Sequence, residues 1–220
     1  MGRLIAIDGL DGSGKGTQAA LLYERLCALG IPARLLSFPM YDSPSSAPVR
    51  MYLSGDFGSD PDAVNSYAAS SFFAVDRFAS FAADWKKDYE AGKVIIADRY
   101  TTANAIHQLT KLKPEKAEDF LAWLSDYEYG LLGIPAPDLT LFLEVPVEMS
   151  LSLIDVRGEK KDIHENEAHL RRAFDSAQLV SRLWGWEHIL CTVPGGKMKS
   201  REEISEEIWA RVRAAFPDLG

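Results

Sequence analysis

Cysteine is scarce: Cys27 and Cys191 are the only two in 220 residues. A disulfide framework cannot be built on so few. Both are expected as buried small hydrophobes, Cys27 in a first helix and Cys191 in an apolar strand. Long apolar runs are missing as well. None approaches the ~20 residues that a membrane span needs, and the run before Asp8, Leu4-Ile5-Ala6-Ile7, is too short for a secretory leader. Met1-Gly2 opens like a myristoylation site, but Ala6 stands where Ser or Thr is required. Positive charge is in deficit. The 24 Lys and Arg face 32 Asp and Glu, a formal net charge of -8, and no basic patch stands out, so nucleic acid is not an expected partner. Nor is zinc: His164-Glu165 and His169 have the spacing H-E-x-x-x-H, which turns the two imidazoles roughly 140° apart on a helix. A reduced, cytoplasmic setting away from membranes is the expectation.

What is present suits a packed core. Hydrophobic residues make 47% and charged residues 25%, and no repeat, linker or low-complexity segment divides the chain. One domain over 1–220 is expected. Its organising stretch is Gly9-Leu10-Asp11-Gly12-Ser13-Gly14-Lys15-Gly16-Thr17-Gln18. An apolar strand precedes it and a helical pattern follows, the context of a phosphate-binding loop. Its glycines let backbone N–H groups turn inward, the helix N-terminus adds partial positive charge, and Lys15 adds a full one.

Apolar runs at 3–8, 33–38, 93–98, 138–145 and 188–193 read as strands. Helical patterns fill 15–29, 47–53, 101–107, 114–131 and 146–156, with a last helix capped by Ser200. Asp60-Pro61 looks like the start of one long helix ending near Gly92. Val64, Tyr67, Ala68, Phe72, Val75, Ala79, Ala82 and Trp85 form its expected core stripe. Strands alternating with helices predict an α/β fold: a five-stranded parallel sheet covered on both faces. Asp98 ends a buried strand, which suits the acidic partner of a nucleotide-bound Mg²⁺; a helix N-cap is the bland alternative. The turn Asp42-Ser43-Pro44-Ser45-Ser46 is either a plain surface loop or a ligand loop at a strand's carboxyl end. The polar stretch Arg157-Gly158-Glu159-Lys160-Lys161-Asp162 has the look of a mobile connection.

Gly-Thr after the lysine is the order seen in nucleoside monophosphate kinases. Together with Phe38-Pro39, Phe73 with Arg77, Asp98-Arg99-Tyr100 and the basic stretch opened by Arg157, the sequence resembles thymidylate kinase across nearly its whole length. The resemblance implies a phosphate-loop nucleoside monophosphate kinase architecture with a short lid at about 157–163. It implies transfer of the ATP γ-phosphoryl group to dTMP on the way to dTTP, with Mg²⁺ held by Thr17 and Asp98, directly or through water. Asp11 would hold the sugar 3′-hydroxyl, Phe73 would stack on thymine, and Arg77 would meet the base edge, helped by Asn104 and Gln108. Arg99 would contact phosphate, and Tyr100 would pack on the deoxyribose. Taken alone, Phe73 reads as core and Arg77 as a solvated charge. Gly12 lacks the basic side chain that some members carry there, so Arg157, Lys160 and Lys161 are the expected lid cations. Members usually place an arginine beside the Phe-Pro. Here Met40-Tyr41 follows, which leaves Arg50 as the nearest cation for the acceptor phosphate. A homodimer through the long helix is implied. A deoxynucleoside kinase, or another pyrimidine monophosphate kinase of this fold, is the alternative. A GTP switch would need an N/T-K-x-D motif, which is absent.

Overall fold

The computed structural model describes residues 1–157 and 167–219. Strands β1 (Arg3–Gly9), β2 (Ala33–Ser37), β3 (Val94–Asp98), β4 (Leu139–Glu144) and β5 (Glu187–Leu190) form one parallel sheet in the order β2-β3-β1-β4-β5. Side chains alternate across a strand, and here both faces are covered. Ile5 and Ile7 pack with Leu22 and Leu26 of α1 (Lys15–Ala28) and with Ile204 and Ile208 of α9 (Arg201–Ala215). Leu4 and Ala6 face the other way, against Phe81, Trp85 and Tyr100. Phe142 of β4 joins a third cluster with α5 (Thr101–Leu109), α6 (Ala117–Ser125) and α8 (Glu167–Trp184). Each such Leu, Ile or Phe, fully buried, stabilises the fold by roughly 1.5–3 kcal/mol. The last helix starts as its residues dictate: Ser200 Oγ accepts from Glu203 N, and the Glu203 carboxylate accepts from Ser200 N.

The expected long helix is interrupted. A single 3-10 turn (Pro61–Ala63) is capped by Asp60, and α3 (Ser66–Ser80) then starts afresh with Asn65 as its cap, accepting from Ala68 N. A π turn (Phe81–Trp85) leads into α4 (Lys86–Glu90). Of the expected core stripe Trp85 is fully buried, but the part on α3 is on the wrong side. Tyr67 and Val75 are 40% and 48% exposed, while Ser66, Ala69, Ser70, Ala74, Asp76, Arg77 and Ser80 are buried. The inward face of α3 is polar because its neighbours are polar groups rather than the sheet's apolar surface. Cys27 also departs from expectation: it is exposed on α1, whereas Cys191 is buried.

One of those inward polar groups, Arg77, meets Glu128, which is fully buried in a second π turn (Asp126–Leu131). Arg77 Nε donates to Glu128 Oε2 at 2.7 Å and its Nη2 to Oε1 at 2.6 Å, a bidentate pair. Thr101 Oγ1 and Asn104 Nδ2 donate to the same carboxylate at 2.8 and 3.2 Å. Four donors on one carboxylate offset its desolvation, and the network ties α3, α5 and the π turn into one unit. Glu128→Gln leaves the Arg77 guanidinium buried without its counter-charge. Urea unfolding should show a loss of about 3–5 kcal/mol; a loss below about 1 kcal/mol would show that the pair holds nothing together.

Candidate active site

The carboxyl ends of β1 and β3 lie side by side, with Ile7 paired to Asp98. The chain leaves β1 for β2, returns at β3, and then crosses β1 to reach β4. Loops that diverge in this way open a crevice at the strand ends. The glycine-rich loop fills one side of it. Gly14 at φ 83 caps α1, and Lys15 Nζ folds back to the Leu10 carbonyl at 3.1 Å and to Asp11 Oδ1 at 3.5 Å. Gly12 stands at φ 79, where an added Cβ would lie 2.8 Å from the Ser150 carbonyl of α7 (Val147–Arg157). A side chain there, basic or otherwise, would be strained and would push α7 aside.

Arg99 enters from the other side. It is the one non-glycine residue with positive φ among those described, at 64°. That conformation costs an L-residue roughly 1–2 kcal/mol. It sends the guanidinium into the crevice, where Nη2 donates to Asp11 Oδ1 and Nη1 meets His107 Nε2 at 3.2 Å. Burial works against the Arg99 charge, but Asp11, Asp8, Asp98 and the Tyr41 phenol outweigh it and push its pKa up. Burial lowers the Lys15 pKa and Arg99 lowers it further, against Asp11, Asp98 and Asp8. Asp8 is fully buried, which raises its pKa despite Arg99, Lys15 and hydrogen bonds from Thr102 Oγ1 and Gly9 N. Two cations and three acids therefore share the crevice.

Asp98 carries the metal question. Its Oδ1 is buried without a hydrogen-bond partner, and a Cβ on Gly16 would lie 3.0 Å from its Oδ2. The carboxylate thus sits against the first turn of α1, where the exposed Thr17 follows Gly16 in the chain. An orphaned carboxylate oxygen at the first turn of this helix fits a hard cation such as Mg²⁺. No group of three or more His, Cys, Asp or Glu able to hold a metal exists among the described residues. The ion would therefore be shared with nucleotide phosphate.

A family model described as thymidylate kinase matches residues 7–190. The chain belongs to the thymidylate kinase family. The Mycobacterium tuberculosis thymidylate kinase is 30% identical over 207 residues, covering 89% of this chain and 94% of that protein. The thymidylate kinase of Alkalilimnicola ehrlichii is 33% identical over 168 residues, 76% of this chain and 72% of that one. Among solved structures, thymidylate kinase from Candida albicans superposes with a TM-score of 0.71 at 22% identity, covering 97% and 92% of the two chains.

The thymidylate kinase resemblance assigned several residues that the structure places elsewhere. Tyr100 has no surface to offer a sugar. It is fully buried, its hydroxyl donates to the Pro135 carbonyl at 3.0 Å, and its ring lies 5.8 Å from that of Phe38. The turn at Arg99 explains this: as the arginine swings into the crevice, the next side chain swings into the core. Phe38, just after β2, is core as well, and of the Phe38-Pro39 pair Pro39 keeps more surface. Arg77 is neither solvated nor a free base-edge donor; it is 2% exposed and clamped to Glu128. Asn104 spends its amide on Ser70 O and Glu128. Gln108 is buried beside Ser66, with its Oε1 unpartnered, as is Ser70 Oγ on the facing helix. Both atoms are buried. Phe73 is half-buried, edge-on to Tyr52 at 6.1 Å, with ring surface left over.

Arg50 is not aimed at a phosphate. Its Nη1 donates to the carbonyls of Tyr41 and Ser43 at 2.6 and 3.1 Å and lies 2.5 Å from Ser46 Oγ. The turn's own carbonyls needed a donor, and the cation on α2 (Ala47–Ser54) supplies it. From below, buried Asp76 accepts from Met40 N at 2.8 Å and from Ser45 Oγ at 2.6 Å. Asp76, Asp8, Glu128 and His107 escaped sequence reasoning. Only the position of Asp8 at a strand's carboxyl end could have pointed to it. Arg157 falls at the end of α7, while Lys160 and Lys161 lie outside the described residues.

Two glycines separate conformation from space. Gly14→Ala meets nothing within 4 Å, whereas Gly12→Ala meets Ser150 O at 2.8 Å, and both stand at positive φ. Thermal unfolding without nucleotide should show about 1–2 kcal/mol lost at position 14 and clearly more at position 12. Equal losses would mean that α7 does not press on the loop.

Proposed function

We propose that the chain is an ATP-dependent dTMP kinase, transferring the γ-phosphoryl group of ATP to dTMP to give ADP and dTDP. The observation that carries this reading is the meeting of Lys15 and Arg99 on Asp11, where the phosphate loop and the turn after β3 face each other. One cation belongs to a donor-phosphate loop, and the other stands opposite. In-line transfer between two phosphates needs no covalent intermediate on the protein. Positioning and charge neutralisation do the work. Lys15 and the loop N–H groups hold the outer ATP phosphates. Arg99 leaves Asp11 for the acceptor phosphate, and the freed Asp11 carboxylate takes the sugar 3′-hydroxyl. Phe73 offers its remaining ring face to thymine. Asp98 and Thr17 would hold a Mg²⁺, which would supply neutralisation of phosphate charge. Arg157, Lys160 and Lys161 supply the lid cation that Gly12 lacks. A cytoplasmic place of action goes with this reading; among the described residues no helix is long and apolar enough to cross a membrane.

The test is ADP release with Mg-ATP and dTMP, AMP or thymidine in parallel. dTMP should be used far faster than the other two. Equal turnover of thymidine would point to a nucleoside kinase instead. Replacing Lys160 and Lys161 together by Met should lower kcat by ~10²-fold or more with dTMP affinity nearly kept. A double variant with full kcat would remove both from the reaction.

We also propose a homodimer through α3. Its outward face carries Tyr67, Val75 and Phe78, each at least 40% exposed. Apolar groups aligned on one helix face suit burial against a second copy. Sedimentation at micromolar concentration should give about twice the monomer mass, and Phe78→Lys should return it to the monomer. A wild-type monomer would end this proposal.

A further inference from the structure

Behind Arg99 stand two histidines with no counterpart in the reading above. His107 on α5 and His169 on α8 are 5% and 0% exposed. Their rings are coplanar to within 4°, and His107 Nδ1 lies 3.1 Å from His169 Nε2. His107 Nε2 in turn faces Arg99 Nη1 at 3.2 Å. The direction of this chain is not free. A guanidinium only donates, so His107 Nε2 must accept. The His107 proton then sits on Nδ1 and is donated to His169 Nε2, which leaves the His169 proton on its own Nδ1. A further proton on either ring would set two donors against each other, somewhere between His169 and Arg99.

We propose that His107 is a positioning residue for Arg99 and that His169 sets its tautomer, the neutral pair fixing where the guanidinium waits for the acceptor phosphate. A neutral acceptor orients a guanidinium without cancelling its charge. Anchored by Nη1, Arg99 can exchange Asp11 for phosphate at Nη2 while the rest of the group stays still. A carboxylate in place of His107 would compete with the phosphate; an imidazolium would repel Arg99. The surroundings keep His169 neutral. Burial, then Arg172 and Lys111, lower its pKa to about 4, outweighing Asp11 and Asp62.

The inference rests on Arg99 being the acceptor-phosphate cation, and two measurements separate the two readings. Long-range ¹H–¹⁵N spectra of the ligand-free wild-type protein at pH 7, assigned with His107→Gln and His169→Gln, read the tautomers without any activity. Both rings should carry their proton on Nδ1. A proton on His107 Nε2, or an imidazolium at either ring, overturns the proposal even if dTMP is phosphorylated. Steady-state kinetics then tests the consequence. His107→Phe removes the acceptor and should raise the dTMP KM at least about tenfold, as loss of a charged hydrogen bond does, with the ATP KM unmoved. His107→Gln restores an acceptor at the Nε2 position and should bring the dTMP KM back to within about threefold of wild type. A Phe variant that binds dTMP normally, or a Gln variant no better than Phe, also overturns it. If no dTMP is phosphorylated at all, the proposed function fails while the tautomers still stand or fall on the spectra.

Discussion

A guanidinium held among Asp8, Asp11 and Asp98 at the ends of two neighbouring strands is the constraint from which the rest of this site follows. Removing that charge from water would be costly without partners. The three acids supply them before any ligand arrives, so the crevice is assembled rather than created by its substrates. The residue pays for its placement with a left-handed backbone, and that one turn decides two environments at once. Arg99 goes to the crevice, while Tyr100 goes to the core between Phe38 and the Arg77–Glu128 pair.

The second strand's exit shows a different solution to a related problem. The segment Met40 to Ser46 holds no arginine, yet it is tightly pinned. Asp76 bonds it from beneath, and Arg50 bonds it from the following helix. Both charges serve the shape of the turn. Tyr41, whose phenol lies close enough to Arg99 to influence it, is carried on this braced segment. The charge one would look for in a phosphate grip is instead spent on making the wall of the crevice stiff.

The five strands, the phosphate loop and the positions of Lys15, Asp98 and Arg99 were legible in the sequence. Each is announced by local chemistry: a continuous apolar run, a glycine spacing, a polar residue where such a run stops. What was hidden depends on partners distant along the chain. Arg77 finds Glu128 across 51 residues, and His107 finds His169 across 62. The inward face of α3 misleads an apolar-stripe reading because it packs on polar groups. Ser66, Ser70, Ser80 and Arg77 go in, and Tyr67, Val75 and Phe78 stay out. Hydrophobic periodicity reports which side of a helix avoids water, and on α3 two surfaces, a polar core and an apolar exterior, compete for that description. The likeness to solved structures adds the architecture, and the family model adds the membership.

The two π turns have a consequence for how this chain is to be compared with others. At Phe81–Trp85 the Lys86 N–H reaches back five residues to the Phe81 carbonyl, and at Asp126–Leu131 the Leu132 N–H does the same to Tyr127. A π turn takes one residue more than the α-helical turn it replaces. Arg77 lies just ahead of the first and Glu128 within the second, so both ends of the buried pair adjoin an inserted residue. In a relative with a plain α-helix at either place, the alignment needs a one-residue gap there. Set without it, every downstream position on that helix is rotated by roughly 100°, and true equivalents are read as substitutions.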